Sequence, residues 1–165
     1  LPAIRSLGGS PPPHVHIIQP DSRLSTLSLY SVMDYCVTVR GTVGIEAASF
    51  GIPVLTAGTG RYDRLGFTVD SESRSQYLDR LAHIQDLPSL TARERELAER
   101  FAYGVFITRP LTLRTVALEY QRDAKASLQT RVCLPKGQEL HAAADLRALA
   151  AWIQSGQEDF LSPHA

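Results

Sequence analysis

Two short runs carry the residue types that bind phosphate. The first is Gly41-Thr42-Val43-Gly44, with Glu46 just behind it; the second is Gly58-Thr59-Gly60-Arg61-Tyr62. Gly41 lets the backbone approach a ligand with no Cβ in the way. Thr42 stands as the N-cap or first residue of a helix. The N–H groups of Thr42, Val43 and Gly44 then lack intrahelical partners and carry part of the positive end of the helix dipole, which favours an anion. Arg61 or Arg64 can pair bidentately with phosphate. Tyr62 can stack on a base or a sugar, and Glu46 can accept hydrogen bonds from two ribose hydroxyls. Each residue also has a plainer reading. Thr42 would only cap a helix whose glycines serve helix–sheet packing. Arg61 and Asp63 would sit on a solvated loop. Glu46 would partner a backbone N–H or an arginine. The local pattern leaves both sets open.

The elements that must position these runs can be read from hydrophobic patterning. His14 to Gln19 reads as a short strand closed by Pro20, and Asp21 or Ser22 caps a helix to about Met33. Tyr35 to Val39 is a near-continuously apolar or β-branched strand, as buried parallel strands are. A helix from Gly41-Thr42 through Phe50 closes at Gly51, and Pro53 to Ala57 is a third strand. Ser73 to Ile84 is helical. Thr91 to about Ile107 shows one apolar stripe, with Thr91 and Glu94 matching a capping box. Beyond Pro110 the pattern weakens. Leu111 to Ala126 reads as helix, Leu128 to Leu134 as a short strand or extended crossing, and Glu139 to Gln154 as helix again. Strands alternating with helices imply right-handed βαβ units, with His14–Gln19, Tyr35–Val39 and Val54–Ala57 as adjacent parallel strands. The expected fold class is α/β: a Rossmann-like parallel sheet flanked by helices, with a helical carboxyl-terminal extension. In such sheets ligands bind beyond the carboxyl ends of the strands, where both glycine turns lie.

Composition narrows the function classes. The 165 residues include 17 basic and 17 acidic side chains, so the chain lacks the basic excess of a nucleic-acid domain. No apolar run approaches the ~20 residues that span a bilayer. Cys36 and Cys133 define neither a disulfide framework nor a metal site. His14 and His16 share a strand face without carboxylate or cysteine company, so no metal is expected. The phosphate-loop and nucleophile-elbow motifs are absent, the Gly58–Gly60 turn does not complete G-x-G-x-x-G, and no Asp-x-Asp pair is present to clamp a metal on a diphosphate. The expected setting is reducing and cytoplasmic. The chain opens on Leu1 rather than Met, which suggests a fragment of a longer protein.

The assembled motifs resemble a known family. Asp34–Val39, Gly41-Thr42, Val43-Gly44-Ile45-Glu46-Ala47, Gly51-Ile52-Pro53-Val54, Gly58 to Tyr62, Gly66-Phe67-Thr68 and Glu96–Pro110 succeed one another as in the carboxyl-terminal half of GT-B glycosyltransferases. The pattern is most similar to that of the capsule polysaccharide biosynthesis proteins that include bacterial Kdo transferases, and it covers about Ile17 to Pro110. The resemblance implies a nucleotide-sugar-binding Rossmann-like domain over 1–110, one half of a GT-B fold, and a mainly helical extension over 111–165 packing on it. It implies the donor-binding portion of a glycosyltransferase of bacterial surface or capsular polysaccharide biosynthesis. The donor would be a CMP- or UDP-linked sugar, bound without cofactor or metal. Carried over, Gly41, Thr42, Val43 and Gly44 would face the donor phosphate and Glu46 the ribose or sugar. Gly58, Thr59, Gly60, Arg61 and Tyr62 would line the other side of the cleft. The catalytic base and the acceptor side would come from an upstream amino-terminal domain, leaving this chain inactive by itself. The acceptor would be a saccharide or glycolipid, with peripheral contact at the inner membrane face. Two departures stand out: Gly41 replaces a serine that the family often carries, and the family's His-Pro pair is missing. A nucleotide-sugar 2-epimerase, a polyol-phosphate transferase and a non-catalytic α/β interaction module are the alternatives.

Overall fold

The computed structural model describes residues 6, 8–9, 11–19, 21–58, 60–122, 128–133 and 142–158. The chain divides into two compact units, Leu1–Asp34 and Tyr35–Ala165. Among the described residues, no helix is long and apolar enough to cross a membrane.

The first unit holds far less regular structure than its sequence suggests. Its described helix is a single turn, α1 (Thr26–Leu29). The longer helix expected up to Met33 fails for two physical reasons. The Ser22 hydroxyl accepts from the Leu24 N–H, and the Ser31 hydroxyl donates to the Ser28 carbonyl, local bonds that compete with a helical ladder. Leu24, Leu27 and Val32 also stay 59%, 61% and 75% exposed, so no apolar face is buried to hold the helix. His14–Gln19 is not a strand. A turn joins the Val15 N–H to the Pro12 carbonyl at 2.9 Å, and another joins Ser22 to Gln19 at 3.0 Å. Between these turns the segment pairs with no strand among the described residues.

The second unit is mixed α/β around a small parallel sheet. Strand β1 (Cys36–Thr38) pairs in parallel with β2 (Val54–Thr56), in the register Cys36↔Val54, Val37↔Leu55 and Thr38↔Thr56. The crossover between them is α2 (Thr42–Ser49). It ends as a glycine-terminated helix should: Gly51 takes φ +83°, its N–H bonds to the Ala48 carbonyl, and the Ile52 N–H bonds to the Ala47 carbonyl. Pro53 then turns the chain into β2. A third parallel contact comes from Val69, bridging Leu55, and among the described residues no strand stands in the place expected for His14–Gln19.

Helix α3 (Arg74–Ala82) starts at an N-cap Ser73 whose hydroxyl accepts from the Gln76 N–H. Helix α4 (Ala92–Tyr103) starts at the expected capping box: Glu94 N–H to the Thr91 hydroxyl at 3.3 Å, and Thr91 N–H to the Glu94 carboxylate at 2.7 Å. Its last turn widens into a π-helical segment, Gly104–Thr108. α2 packs on α4, and fully buried Ala47, Ala48 and Ala98 let the two come close. The core continues through Ile45, Ile52, Val54, Leu55 and Phe67.

Beyond Pro110 the expected helix over Leu111–Ala126 is replaced by an antiparallel hairpin, β3 (Ala117–Arg122) with β4 (Leu128–Cys133). Tyr120 suits a pleated strand better than a helix, and β4 supplies the pairing partner that settles it. Among its described residues the extension therefore holds a hairpin as well as a helix. The final expected helix is found as α5 (Ala144–Ser155); residues 139–141 lie outside the described ones. Asp145, in the first turn of α5, accepts four hydrogen bonds: from the Arg114 and Thr115 N–H groups, the Thr115 hydroxyl and the Leu146 N–H. The Thr115 bonds foremost hold its carboxyl well below the ordinary aspartate range. A depressed folded pKa means that this tie is complete above about pH 4 and is lost as pH falls further. Asp145→Ala should abolish hydrogen-exchange protection at the Arg114 and Thr115 amides while leaving α4 protected. Unchanged protection there would show that Asp145 does not tie the 114–115 segment to α5.

Candidate functional site

Parallel pairing puts the carboxyl ends of β1, β2 and the Val69 bridge side by side. The segments that leave these ends form one rim. Gly41 is the N-cap of α2 and Thr42 its first residue; both are exposed, Val43 is half-buried, and Glu46 is half-buried one turn further on. Gly41 has φ −68° and ψ 146°, an ordinary extended conformation, so the backbone does not demand glycine there. Space is tight instead: a Cβ would lie 3.2 Å from the Thr38 hydroxyl and 3.3 Å from Val43 Cγ1, so those side chains would have to give slightly. Of the three N–H groups expected to face a ligand, that of Gly44 is spent on the Gly41 carbonyl at 3.1 Å. Those of Thr42 and Val43 remain as first-turn donors.

Tyr62 departs most from expectation. It is 1% exposed and cannot stack on a ligand. Its ring lies 6.1 Å from Phe67, stacked, and 6.4 Å from Phe101, edge-on, with Phe67 and Phe101 5.6 Å apart. Its hydroxyl donates to the Gly41 carbonyl at 2.8 Å. Gly44 is correspondingly a packing residue. A Cβ there would overlap the Tyr62 hydroxyl and sit 2.9 Å from Tyr62 Cζ and 3.0 Å from Thr38 Cγ2. The two glycine turns are thus joined through the tyrosine.

The second turn is ordered by two aspartates: Asp63, for which the sequence offers a solvated-loop reading, and Asp70, which patterning does not single out. Asp70 accepts from the Thr56 hydroxyl at 2.8 Å, the Thr68 hydroxyl at 2.7 Å and the Arg64 N–H at 2.7 Å. The last bond holds Arg64 at φ 61°, the left-handed region that side chains seldom enter. Asp63 accepts from the Gly60 N–H at 2.7 Å, so it shapes the turn while staying half-exposed. A Cβ on Gly60 would lie 3.3 Å from the Val39 carbonyl, which brings this turn against the end of β1. Arg61 is exposed on the rim, and Thr59 lies outside the described residues.

A cleft of about 310 Å³ opens at the carboxyl ends of β2 and the Val69 bridge. Of the residues expected at a ligand, only Gly58 lines it. The rest of its wall is the Ser71–Arg74 run with Tyr77 of α3 and Ala57. The sequence signal for this wall was the N-cap Ser73, which announces a helix start and says nothing of a cleft. Among the described residues, no group of three or more His, Cys, Asp or Glu could hold a metal ion. Cys36 is free and buried, and burial raises its thiol pKa, so it is an inert core residue. Comparison with protein-family models, with curated proteins and with solved structures found no match for this chain.

Burial raises the Tyr62 pKa above the ordinary tyrosine value, against a smaller opposing effect of the Thr38 hydroxyl. A raised folded pKa leaves its stabilisation intact below about pH 10 and removes it above that, as the unfolded chain gives up the proton first. Tyr62→Phe should cost about 1 kcal/mol, the net worth of one buried hydrogen bond. Gly44→Ala should cost about 1–3 kcal/mol, as overpacking does. Denaturant unfolding of both variants measures these values. A neutral Gly44→Ala would contradict the close approach.

Proposed function

We propose that this chain is the donor-binding portion of a nucleotide-sugar-dependent glycosyltransferase, built as one Rossmann-like half of a GT-B fold. One observation carries the reading. Three parallel carboxyl ends lie side by side, with a helix start at one and a cleft at the others, where open α/β sheets take their ligands. The motif resemblance over Ile17 to Pro110 supplies the reaction class.

On this reading the diphosphate or phosphate of a UDP- or CMP-linked donor lies over the start of α2. The Thr42 and Val43 N–H groups, the Thr42 hydroxyl and Arg61 would face the leaving phosphate. They would stabilise the charge that grows there as an acceptor hydroxyl attacks the anomeric carbon. Glu46, one turn behind, would accept from ribose hydroxyls. Tyr62 and Gly44 take no part in contact with the donor; they fix the position of Gly41. The acceptor and the catalytic base belong to a second domain in this scheme.

Titration calorimetry with UDP and CMP tests the reading on the chain as it stands. Weak binding is expected for one of them, because only half of the cleft is represented. Arg61→Ala should weaken it by roughly three- to tenfold, the worth of one charge-assisted hydrogen bond. Gly41→Val should weaken it further, since the added side chain meets Thr38 and Val43. Absence of binding by either nucleotide, or full affinity in both variants, would contradict the proposal.

A further inference from the structure

We propose that the open edge of β1 pairs with the same edge of a second copy of this chain, antiparallel and centred on Val37. β1 is an edge strand: among the described residues it pairs with β2 alone. The Cys36 N–H donates to the Pro53 carbonyl, and the Thr38 carbonyl accepts from the Ala57 N–H. Those bonds fix which way the neighbouring groups point. Across a planar trans peptide the N–H and C=O are opposed, so the Tyr35 carbonyl and the Val39 N–H face away from β2. In a parallel ladder alternate residues turn to the partner strand. The register Cys36↔Val54 and Thr38↔Thr56 therefore turns the Val37 N–H and carbonyl outward as well. Val37 and Val39 are 42% and 53% exposed, so this edge is both open and apolar. Such an edge is a template for another strand.

The outward groups fit their own two-fold copy. With Val37 opposite Val37 of the second copy, each Val37 N–H meets the other Val37 carbonyl. Each Val39 N–H then meets the other Tyr35 carbonyl, and every outward group is satisfied. The Val39 carbonyl is turned to the second glycine turn, 3.3 Å from where a Cβ on Gly60 would stand, so pairing ends there. Tyr35, Val37 and Val39 alternate onto one face, and the register joins the two rows into one apolar stripe.

The flanking charges select this partner and this register. Asp34 and Arg40 are exposed and stand three residues on either side of Val37. Antiparallel pairing about Val37 sets Asp34 of each copy opposite Arg40 of the other. Parallel pairing of the same edges would put Asp34 beside Asp34 and Arg40 beside Arg40, and like charges placed opposite each other are destabilising.

Sedimentation equilibrium and amide hydrogen exchange on the chain test the pairing. A dimer should form with a midpoint between about 0.01 and 1 mM, as suits a small interface. Protection of the Val37 and Val39 amides should rise with it, while the α4 amides stay as they are. Val37→Lys sets two ammonium groups opposite each other and should abolish the dimer; unchanged α4 protection shows that the fold survives. Arg40→Asp should weaken the dimer by roughly three- to tenfold. Adding Asp34→Arg to that variant should recover it, because opposite charges face each other again. A chain that stays monomeric at about 1 mM would overturn the proposal. So would a dimer that Val37→Lys leaves intact, or a charge exchange without recovery. Full protection of the Val37 amide in the monomer would overturn it too, because another segment of the chain would then fill the edge.

Discussion

The hydrogen bond from the Tyr62 hydroxyl to the Gly41 carbonyl, made across a glycine at position 44, is the contact on which the rim of the sheet depends. Tyr62 lies on the loop that leaves β2, while Gly41 lies on the turn that leaves β1. Hydrogen bonds within the sheet align β1 and β2 but cannot align the turns beyond their ends. The buried tyrosine does this, because its ring is fixed by Phe67 and Phe101 and its hydroxyl has one carbonyl to reach. Gly44 makes the approach possible, and the small residues Ala47, Ala48 and Ala98 let α2 lie close enough to α4 to enclose the ring.

Asp70 extends the same logic to the other side of β2. One carboxylate gathers the Thr56 and Thr68 hydroxyls and the Arg64 N–H, tying the end of the strand to the end of its own loop. With both turns held from inside, the polar residues left on the outside include Arg40, Thr42, Arg61, Arg64, Glu72, Ser73 and Arg74. These are groups suited to phosphate and hydroxyls. On the proposed reading, the structural and the ligand-facing roles would fall to different residues.

Local signals made part of this fold legible. The capping box at Thr91–Glu94, the helix stop at Gly51 and the apolar runs at Tyr35–Val39 and Pro53–Ala57 all reflect interactions within a few residues, and all are present. Elements that need a distant partner were not legible. Among the described residues His14–Gln19 has strand composition but no partner strand, and Ala117–Arg122 has a partner that periodicity cannot announce. The site divided along the same line. The positions of Gly41, Thr42 and Gly58 beyond the strand ends were legible because glycine turns after strands are local features. Tyr62 was misread because burial, not residue type, decides whether an aromatic ring stacks on a ligand or on Phe67. Asp70 and the Ser71–Arg74 wall escaped notice because their roles arise from the Val69 bridge, a pairing no short-range pattern encodes.

The central claim is that Gly44 is glycine because Tyr62 carries a hydroxyl aimed past it. A double-mutant cycle measures this directly through the unfolding free energies of Gly44→Ala, Tyr62→Phe and the double variant. Removing the hydroxyl removes the worst overlap with the added methyl group, so the double variant should be less destabilised than the two single costs combined, by about 0.5–3 kcal/mol. Strict additivity of the two substitutions would contradict the account, because it would mean that the tyrosine hydroxyl and the Gly44 backbone do not meet.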